Sequence, residues 1–95
     1  MARMEHLVFG SAYDKVTSVI ILCAERFGLT TSSGVELPLV LTHKQIASLV
    51  GITRETTSVE IKNLEREGLI GYKDRSILIK DLNKLKEQSL LRQSF

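Results

Sequence analysis

Residues 41–79, LTHKQIASLVGITRETTSVEIKNLEREGLIGYKDRSILI, contain the pattern that decides the fold of this 95-residue chain. Near its start, Thr42 and Gln45 form a Thr-x-x-Gln capping box, a combination typical of a helix N-terminus. Apolar residues then fall mostly on one side of a helix predicted over residues 44–50. Gly51 follows and can adopt the positive φ that a sharp turn needs. The segment therefore begins with a short helix that stops at a glycine.

A second, longer helix is predicted after this turn. Thr53 is its N-cap, and the helix runs over residues 54–67, with Gly68 in the position of a C-terminal glycine. Ile61 and Leu64 are expected to be its buried residues. The first helix braces the second across the turn, so the N-terminal end of the second helix projects outward with dimensions that fit a DNA major groove.

A β-hairpin is predicted next. Residues 69–72 and 77–79 are apolar, strand-like segments on either side of the polar turn 73–76. Two helices, a glycine-centred turn and a hairpin together form a winged helix-turn-helix. The predicted fold class is mostly α with a small β-sheet (α+β), with three to four helices plus the hairpin wing.

The flanking segments extend this plan. Ser11 with Asp14 is an imperfect capping box for a helix over residues 12–27, and the final helix is capped by Asp81. Between the first helix and residue 41, residues 29–34 are predicted as a polar loop and residues 35–41 as a short strand that its proline restricts to a sheet edge. The residues expected to face the core are Val16, Ile20, Cys23 and Phe27 in the first helix, Ile46, Ala47, Leu49 and Val50 in the second, and Leu82, Leu85 and Leu90 in the last.

Composition limits the possible functions. The length suffices for one domain, the net charge is only +2, and no stretch approaches the roughly 20 apolar residues that span a bilayer. Two histidines and one cysteine in dissimilar contexts supply neither a metal site nor a catalytic pair. We therefore expect a cytoplasmic protein that is not an enzyme and has no metal or cofactor, with Cys23 serving in packing rather than in redox chemistry or iron–sulfur binding.

The exposed end of the second predicted helix carries side chains that suit DNA. Arg54 can donate two hydrogen bonds to guanine O6 and N7, and Glu55 can accept one from cytosine N4. Helical spacing adds neighbours to this outward strip. Ser58 and Val59 complete the base-contacting set, and Thr53, Thr56 and Lys62 are candidates for phosphate contact.

These residues also carry a resemblance to a known family. The Ile-Ala-x-x-Val-Gly-x-x-Arg-Glu-Thr core, the later Leu-x-x-x-Gly-Leu-Ile and a hairpin ending Ile-x-Ile resemble the DNA-binding domain of the Crp/Fnr transcription regulators. Residues 7–28, LVFGSAYDKVTSVIILCAERFG, are similar to the hinge and first DNA-domain helix of that family. The resemblance covers nearly the whole chain, and it implies sequence-specific binding of double-stranded DNA by a bacterial regulator.

The resemblance also implies roles for individual residues. Arg54 and Glu55 match the base-contacting pair of the family, whereas Val59 stands where many relatives have a second base-contacting arginine. Thr57 replaces an apolar packing residue, which is expected to loosen packing but leave the fold intact. The positions that match phosphate contacts are Ala12, His43, Lys44, Thr53, Thr56, Lys73 and Arg75.

The resemblance to the Crp/Fnr family also implies a domain organisation and partners. Residues 1–10 are predicted to be the tail of a dimerisation helix or hinge, and residues 11–95 the winged-helix domain. An excised domain is favoured over a stand-alone relative, with the full-length protein a homodimer and this chain mostly a monomer. RNA polymerase is a candidate partner, and no membrane partner is expected. The alternative is a winged helix used as a protein–protein interaction module. The effector, the operator and the sign of regulation stay open.

Overall fold

The structure, a computed structural model, describes residues 10–93, with side chains described to residue 89. Four helices and a four-stranded sheet form within these residues, which confirms the predicted mostly α class with a small sheet. The elements are α1 (Ala12–Phe27), β1 (Leu29–Thr31), β2 (Gly34–Glu36), α2 (His43–Val50), α3 (Arg54–Arg66), β3 (Ile70–Lys73), β4 (Ser76–Ile79) and α4 (Leu82–Gln93). The predicted tail over residues 1–10 lies, apart from Gly10, outside the described residues, and so does the side chain of Leu90.

Both predicted capping boxes are present. In α1, the Asp14 backbone N–H donates to Ser11 Oγ at 3.2 Å and the Ser11 N–H donates to Asp14 Oδ2 at 3.2 Å. In α2, the corresponding bonds between Thr42 and Gln45 are 3.1 and 2.9 Å long. Local sequence therefore fixes the start of each helix, because the cap satisfies backbone donors that a helix leaves unpaired at its N-terminus.

The turn between α2 and α3 has the predicted geometry. Gly51 has φ 75°, and the backbone N–H groups of Gly51 and Ile52 both donate to Ala47 O, at 2.9 and 3.1 Å. The Ala47 side chain is only 5% exposed, and a residue this small allows α2 and α3 to approach closely. The helix-turn-helix prediction is confirmed.

The sheet differs from the prediction. Its strand order is β1-β2-β4-β3 and all of its pairings are antiparallel, so β2 is a central strand rather than an edge strand. The predicted polar loop 29–34 contains strand β1 and a tight turn, in which Thr31 Oγ1 donates to Gly34 O at 3.0 Å and accepts from the Ser33 N–H at 3.2 Å. The strand predicted over residues 35–41 starts one residue earlier and already ends at Glu36.

The reason for this difference lies in long-range pairing. Val35 pairs with Ile79 and Glu36 with Leu78, more than 40 residues away, and no local pattern specifies such a partner. Pro38 lies beyond the ladder, where its missing N–H costs no hydrogen bond. The hairpin of residues 29–36 thereby extends the wing hairpin of β3 and β4 into one sheet.

The core contains most of the predicted apolar residues. Residues from all four helices, from the sheet and from the segments beside them are buried: Val16, Ile20, Leu37, Ile46, Val50, Ile61, Leu64, Leu69, Ile70, Ile77, Ile79 and Leu85. Cys23 and Leu82 are half-buried against them. Asp81 caps α4 as predicted, since its Oδ1 accepts from the Lys84 N–H at 3.1 Å.

Two predicted core residues are instead exposed. Leu49 is 57% exposed because it lies off the helical face that Ile46 and Val50 turn to the core. Phe27 is 53% exposed, although its spacing from Ile20 places it on the buried face of α1. Periodicity gives the angle of Phe27 around the helix, but the fold leaves about half of the side chain uncovered at this end of α1.

Thr57 stands where the Crp/Fnr family has an apolar packing residue, and its hydroxyl is hydrogen-bonded. Its side chain is fully buried, and Oγ1 donates to Thr53 O at 3.0 Å, one helical turn earlier. Burial of a hydroxyl is costly only when it finds no partner. The departure from the family pattern is therefore accommodated within α3 itself.

We expect Gly34→Ala to destabilise the fold by about 3 kcal/mol or more. Gly34 has φ +136°, and an added Cβ would lie 2.2 Å from the backbone oxygen of Ile79. Gly51→Ala is the matched control, since Gly51 also has positive φ but an added Cβ meets nothing within 4 Å. That change should cost only about 1 kcal/mol. Urea unfolding of both variants measures the difference, and equal losses would contradict the close approach of β2 and β4.

We expect the Cys23 thiol to react more slowly with iodoacetamide in the folded chain than in urea. Burial raises the pKa of this thiol, so a smaller fraction is the nucleophilic thiolate at a given pH. Because Cys23 is the single cysteine of the chain, the alkylation rate at pH 8 reports on one site. Equal rates in the two conditions would contradict its packing against the core.

Candidate nucleic-acid interface

The N-terminal end of α3 is exposed beyond the turn. Its N-cap, Thr53, accepts from the Thr56 backbone N–H at 3.1 Å and donates to Thr56 Oγ1 at 2.8 Å. Arg54 and Glu55 follow directly, and both side chains are exposed. Within the described residues neither side chain forms a hydrogen bond or an ion pair, so the guanidinium and the carboxylate are open to solvent.

The other predicted contact residues on the outward face of α3 differ in their exposure. Val59 is 55% exposed and Lys62 is exposed, as predicted. Ser58, by contrast, is half-buried, and its hydroxyl lies 2.7 Å from His43 Nδ1. Ser58 therefore differs from its neighbours, because its polar atom already has a partner within the protein.

His43 joins three elements of the site. It is the first residue of α2, its Nδ1 contacts Ser58 of α3, and its Nε2 lies 3.5 Å from the Tyr72 hydroxyl of β3. Burial, and to a smaller extent the carboxylate of Glu65, raises the pKa of Tyr72, so the phenol is neutral and keeps its proton near pH 7. Tyr72 was predicted only as a strand residue, and the sequence signal that could have singled it out is an aromatic residue just before a basic turn.

An open cleft separates the start of α2 from the wing. Its volume is about 350 Å³. It is lined by Val40, Leu41, Thr42, His43, Tyr72 and Arg75. The cleft places His43 and Arg75, which are both predicted phosphate contacts, on one continuous surface.

The two basic residues of the wing are in different situations. Lys73 Nζ lies 3.5 Å from Glu36 Oε2 of β2, in an ion pair whose lysine side chain is 62% exposed. Arg75 is exposed in the turn and forms no ion pair with any described residue. Sequence reasoning missed Glu36 because it becomes a neighbour of Lys73 only through the order of the sheet. The wing therefore presents Lys73 in a solvent-exposed ion pair and Arg75 without an ion-pair partner among the described residues, with the exposed carboxylate of Asp74 between them in sequence.

The remaining predicted phosphate contacts lie at helix starts. Lys44 is exposed in the first turn of α2. Ala12 is half-buried at the start of α1, where the carboxylate of Asp14 already completes the capping box. A carboxylate at this position opposes a second anion, and among the described residues no hydrogen bond joins Ala12 to the other candidates.

No group of three or more His, Cys, Asp or Glu residues in the described part of the chain is placed to hold a metal ion. Among the helices described, none is both long and apolar enough to cross a membrane. The exposed polar side chains around the start of α3 are cations, hydroxyls and the carboxylate of Glu55.

Comparison with known protein families and sequences matches this chain to Crp-like proteins. The model of the Crp-like helix-turn-helix domain family matches residues 14–88. The CRP-like cAMP-activated global transcriptional regulator of Mycobacterium tuberculosis is 29% identical over 83 residues, which are 87% of this chain and 37% of that protein. The nitrogen fixation regulation protein FixK of Azorhizobium caulinodans is 33% identical over 87 residues, covering 86% and 35% of the two chains. The chain thus spans little more than a third of the length of these relatives.

Solved structures give the same match. A mutant of CooA from Carboxydothermus hydrogenoformans has a TM-score of 0.82 and 34% identity, over 92% of this chain and 40% of that one. TTHB099, a CRP-family transcriptional regulator from Thermus thermophilus, has a TM-score of 0.78 and 25% identity, over 93% and 45% of the two chains.

Proposed function

Because the chain belongs to the family of Crp-like helix-turn-helix domains, we propose that it is the sequence-specific DNA-binding domain of a bacterial Crp/Fnr-type transcription regulator. The observation that carries the proposal is the exposed start of α3, where Arg54 and Glu55 have no partner within the described residues. The relatives support it, since the M. tuberculosis protein and TTHB099 are named as transcriptional regulators.

The proposed mechanism places α3 in the major groove. Arg54 donates two hydrogen bonds to guanine O6 and N7, while Glu55 accepts from a cytosine N4 amino group. Val59 offers only apolar contact, for which a thymine methyl group is suited. A site recognised by this chain should therefore differ from that of relatives with arginine at the position of Val59, because a valine has no donor for a second guanine.

Phosphate contacts would position the domain on the duplex. Lys44, Lys62 and Arg75 are exposed cations around the start of α3 and on the wing, and Thr53 and Thr56 add hydroxyls at the helix N-terminus. Such contacts fix the register without carrying sequence information. A net charge of only +2 makes this placement, rather than overall charge, the source of affinity.

The rest of the regulator is proposed from the relatives. Since the chain spans little more than a third of their length, a separate effector-binding region and a homodimer that contacts two half-sites are proposed for the whole protein. Residues 1–10 would then connect the winged-helix domain, residues 11–95, to the dimerisation helix. Contact with RNA polymerase belongs to the same proposal, and the chain alone should be mostly monomeric.

The first test is binding of the chain to a random-sequence duplex at two salt concentrations. Each phosphate contact releases counterions, so log Kobs should fall with log[salt] by about 0.9 per contact. Fluorescence anisotropy at 50 and 200 mM salt measures the slope. A chain that binds no duplex, yet captures a protein partner through the Arg54 face, would support the protein-interaction alternative instead.

The second test separates base contact from phosphate contact. On the preferred duplex selected from a random pool, Arg54→Ala should cost about 1–3 kcal/mol and remove the preference at one base pair. Arg75→Ala should weaken selected and random duplexes alike and lower the salt slope by about one. Lys73→Ala is the matched wing control and should have the smaller effect, because Glu36 already neutralises part of its charge.

If Arg54→Ala weakened all sequences equally, Arg54 would be a phosphate contact and the proposed register of α3 would be wrong. Equal effects of Lys73→Ala and Arg75→Ala would contradict the partial neutralisation of Lys73 by Glu36.

A further inference from the structure

The contacts of His43 link parts of the molecule that are separate in sequence. Ser58 lies 15 residues later in α3, at 2.7 Å from Nδ1, and Tyr72 lies 29 residues later in the wing, at 3.5 Å from Nε2. The first distance is that of a short hydrogen bond, whereas the second exceeds the usual hydrogen-bond range, so the contact with Tyr72 is weak. Both imidazole nitrogens therefore face hydroxyl groups of the protein, closely at Ser58 and loosely at Tyr72.

The hydroxyl groups suit either form of the ring. A neutral imidazole has one donor and one acceptor nitrogen, and the serine and the neutral tyrosine hydroxyl can each donate or accept. Both neutral tautomers thus satisfy both contacts, and an imidazolium, which donates from both nitrogens, does so as well. We call the contacts of His43 with Ser58 and Tyr72 the His43 junction. The junction requires the shape of the imidazole ring and its two nitrogen atoms rather than a particular charge.

The location of Ser58 makes this junction relevant to α3. Ser58 follows Arg54 by four residues, so both lie on one face of the helix, one turn apart. Holding Ser58 therefore restricts rotation of the helix about its axis one turn after the base-contacting pair. Side chains that contact bases need to be held in place, because small errors in their position weaken the contact with the base.

Tyr72 makes the corresponding link to the wing. It precedes Lys73 in β3 and lies three residues before Arg75. Tyr72 and His43 both line the cleft between the start of α2 and the wing, and they contact each other there. The same imidazole thus touches the element that contacts bases and the element that contacts phosphates.

We propose that His43 is a positioning residue that holds the recognition helix against the start of α2 mainly through Ser58, with a longer and weaker contact to Tyr72 of the wing, an inference that rests on the proposed DNA binding. It assigns to His43 and Ser58 roles different from those that the sequence suggested. His43 acts on DNA through its neighbours rather than as a phosphate ligand, and Ser58 acts as the atom that His43 holds rather than as a base contact.

Three substitutions of His43 separate its two contacts. His43→Ala removes both. His43→Asn keeps a polar atom near the position of Nδ1 and so retains the link to Ser58, whereas His43→Gln carries its amide to the position of Nε2 and retains the link to Tyr72. Lys44→Ala serves as the comparison for a true phosphate contact, and Ser48→Ala, at an exposed position of the same helix, serves as the neutral control.

The experiment measures binding of the 95-residue chain to a pool-selected duplex and to a random duplex, each at several salt concentrations. A single hydrogen bond is worth a factor of about 2 to 10 in an equilibrium constant. We expect His43→Ala to reduce the ratio of selected to random affinity about fivefold, with no change in salt slope. His43→Asn should restore most of the ratio, and His43→Gln should not.

Ser58→Ala should lower the ratio as much as His43→Ala does, and the two changes together should cost no more than either alone. A salt slope lowered by about one in His43→Ala, as expected for Lys44→Ala, would overturn the inference and identify His43 as a phosphate ligand. Additive losses for the two alanine variants, or no rescue by asparagine, would also overturn it.

A measurement without DNA separates this inference from the proposed function. The double-mutant cycle of His43→Ala and Ser58→Ala on urea unfolding should show coupling between the two residues. Absence of coupling would overturn the junction even in a chain that binds DNA normally. Coupling in a chain that binds neither duplex would support the junction while overturning the proposed function and the DNA role of His43.

Discussion

The close approach of α2 and α3 is the constraint on which the rest of this structure depends. Ala47 O accepts from two successive backbone N–H groups at the turn, and Gly51 supplies the left-handed conformation that lets the chain reverse there. A larger side chain than that of Ala47 would force the helices apart, and a residue with Cβ in place of Gly51 would be strained. This geometry directs the start of α3 outward, and the availability of Arg54 and Glu55 follows from it.

The sheet makes a second contribution, by connecting the two ends of the domain. Strand β2 pairs with β4, so the hairpin before the helix-turn-helix and the wing after it form one sheet. This pairing places β2 beside β4 in the sheet, and it also brings Glu36 next to Lys73. A residue far from the wing in sequence thus reduces the charge that Lys73 presents, whereas Arg75 has no ion-pair partner among the described residues.

The candidate interface shows a corresponding division between available and engaged side chains. Arg54, Glu55 and Val59 are exposed and have no polar partner in the described residues, which fits groups that meet a ligand. Ser58 and His43 are half-buried and contact each other at 2.7 Å. Residues of similar chemistry on one surface thus differ in whether their polar atoms are open to solvent or already paired within the protein.

The sequence alone determined the features that depend on neighbours along the chain. The caps at Ser11 and Thr42, the turn at Gly51 and the helix that begins after Thr53 were all predicted, because each results from hydrogen bonds within a few residues and from the conformational freedom of glycine. The family motif lies in the same local segment, so the start of α3 could be located as the candidate interface.

Only the tertiary structure decided which strands pair and which side chains meet. Three features depend on residues distant in sequence. Strand β2 lies between β1 and β4, and Phe27 is exposed at the end of its helix. His43 contacts both Ser58 and Tyr72. Periodicity gives the angle of a residue around its helix but not the extent of the surface that covers it. A hydrogen-bonding pattern in one segment likewise carries no information about the partner that folding brings to it.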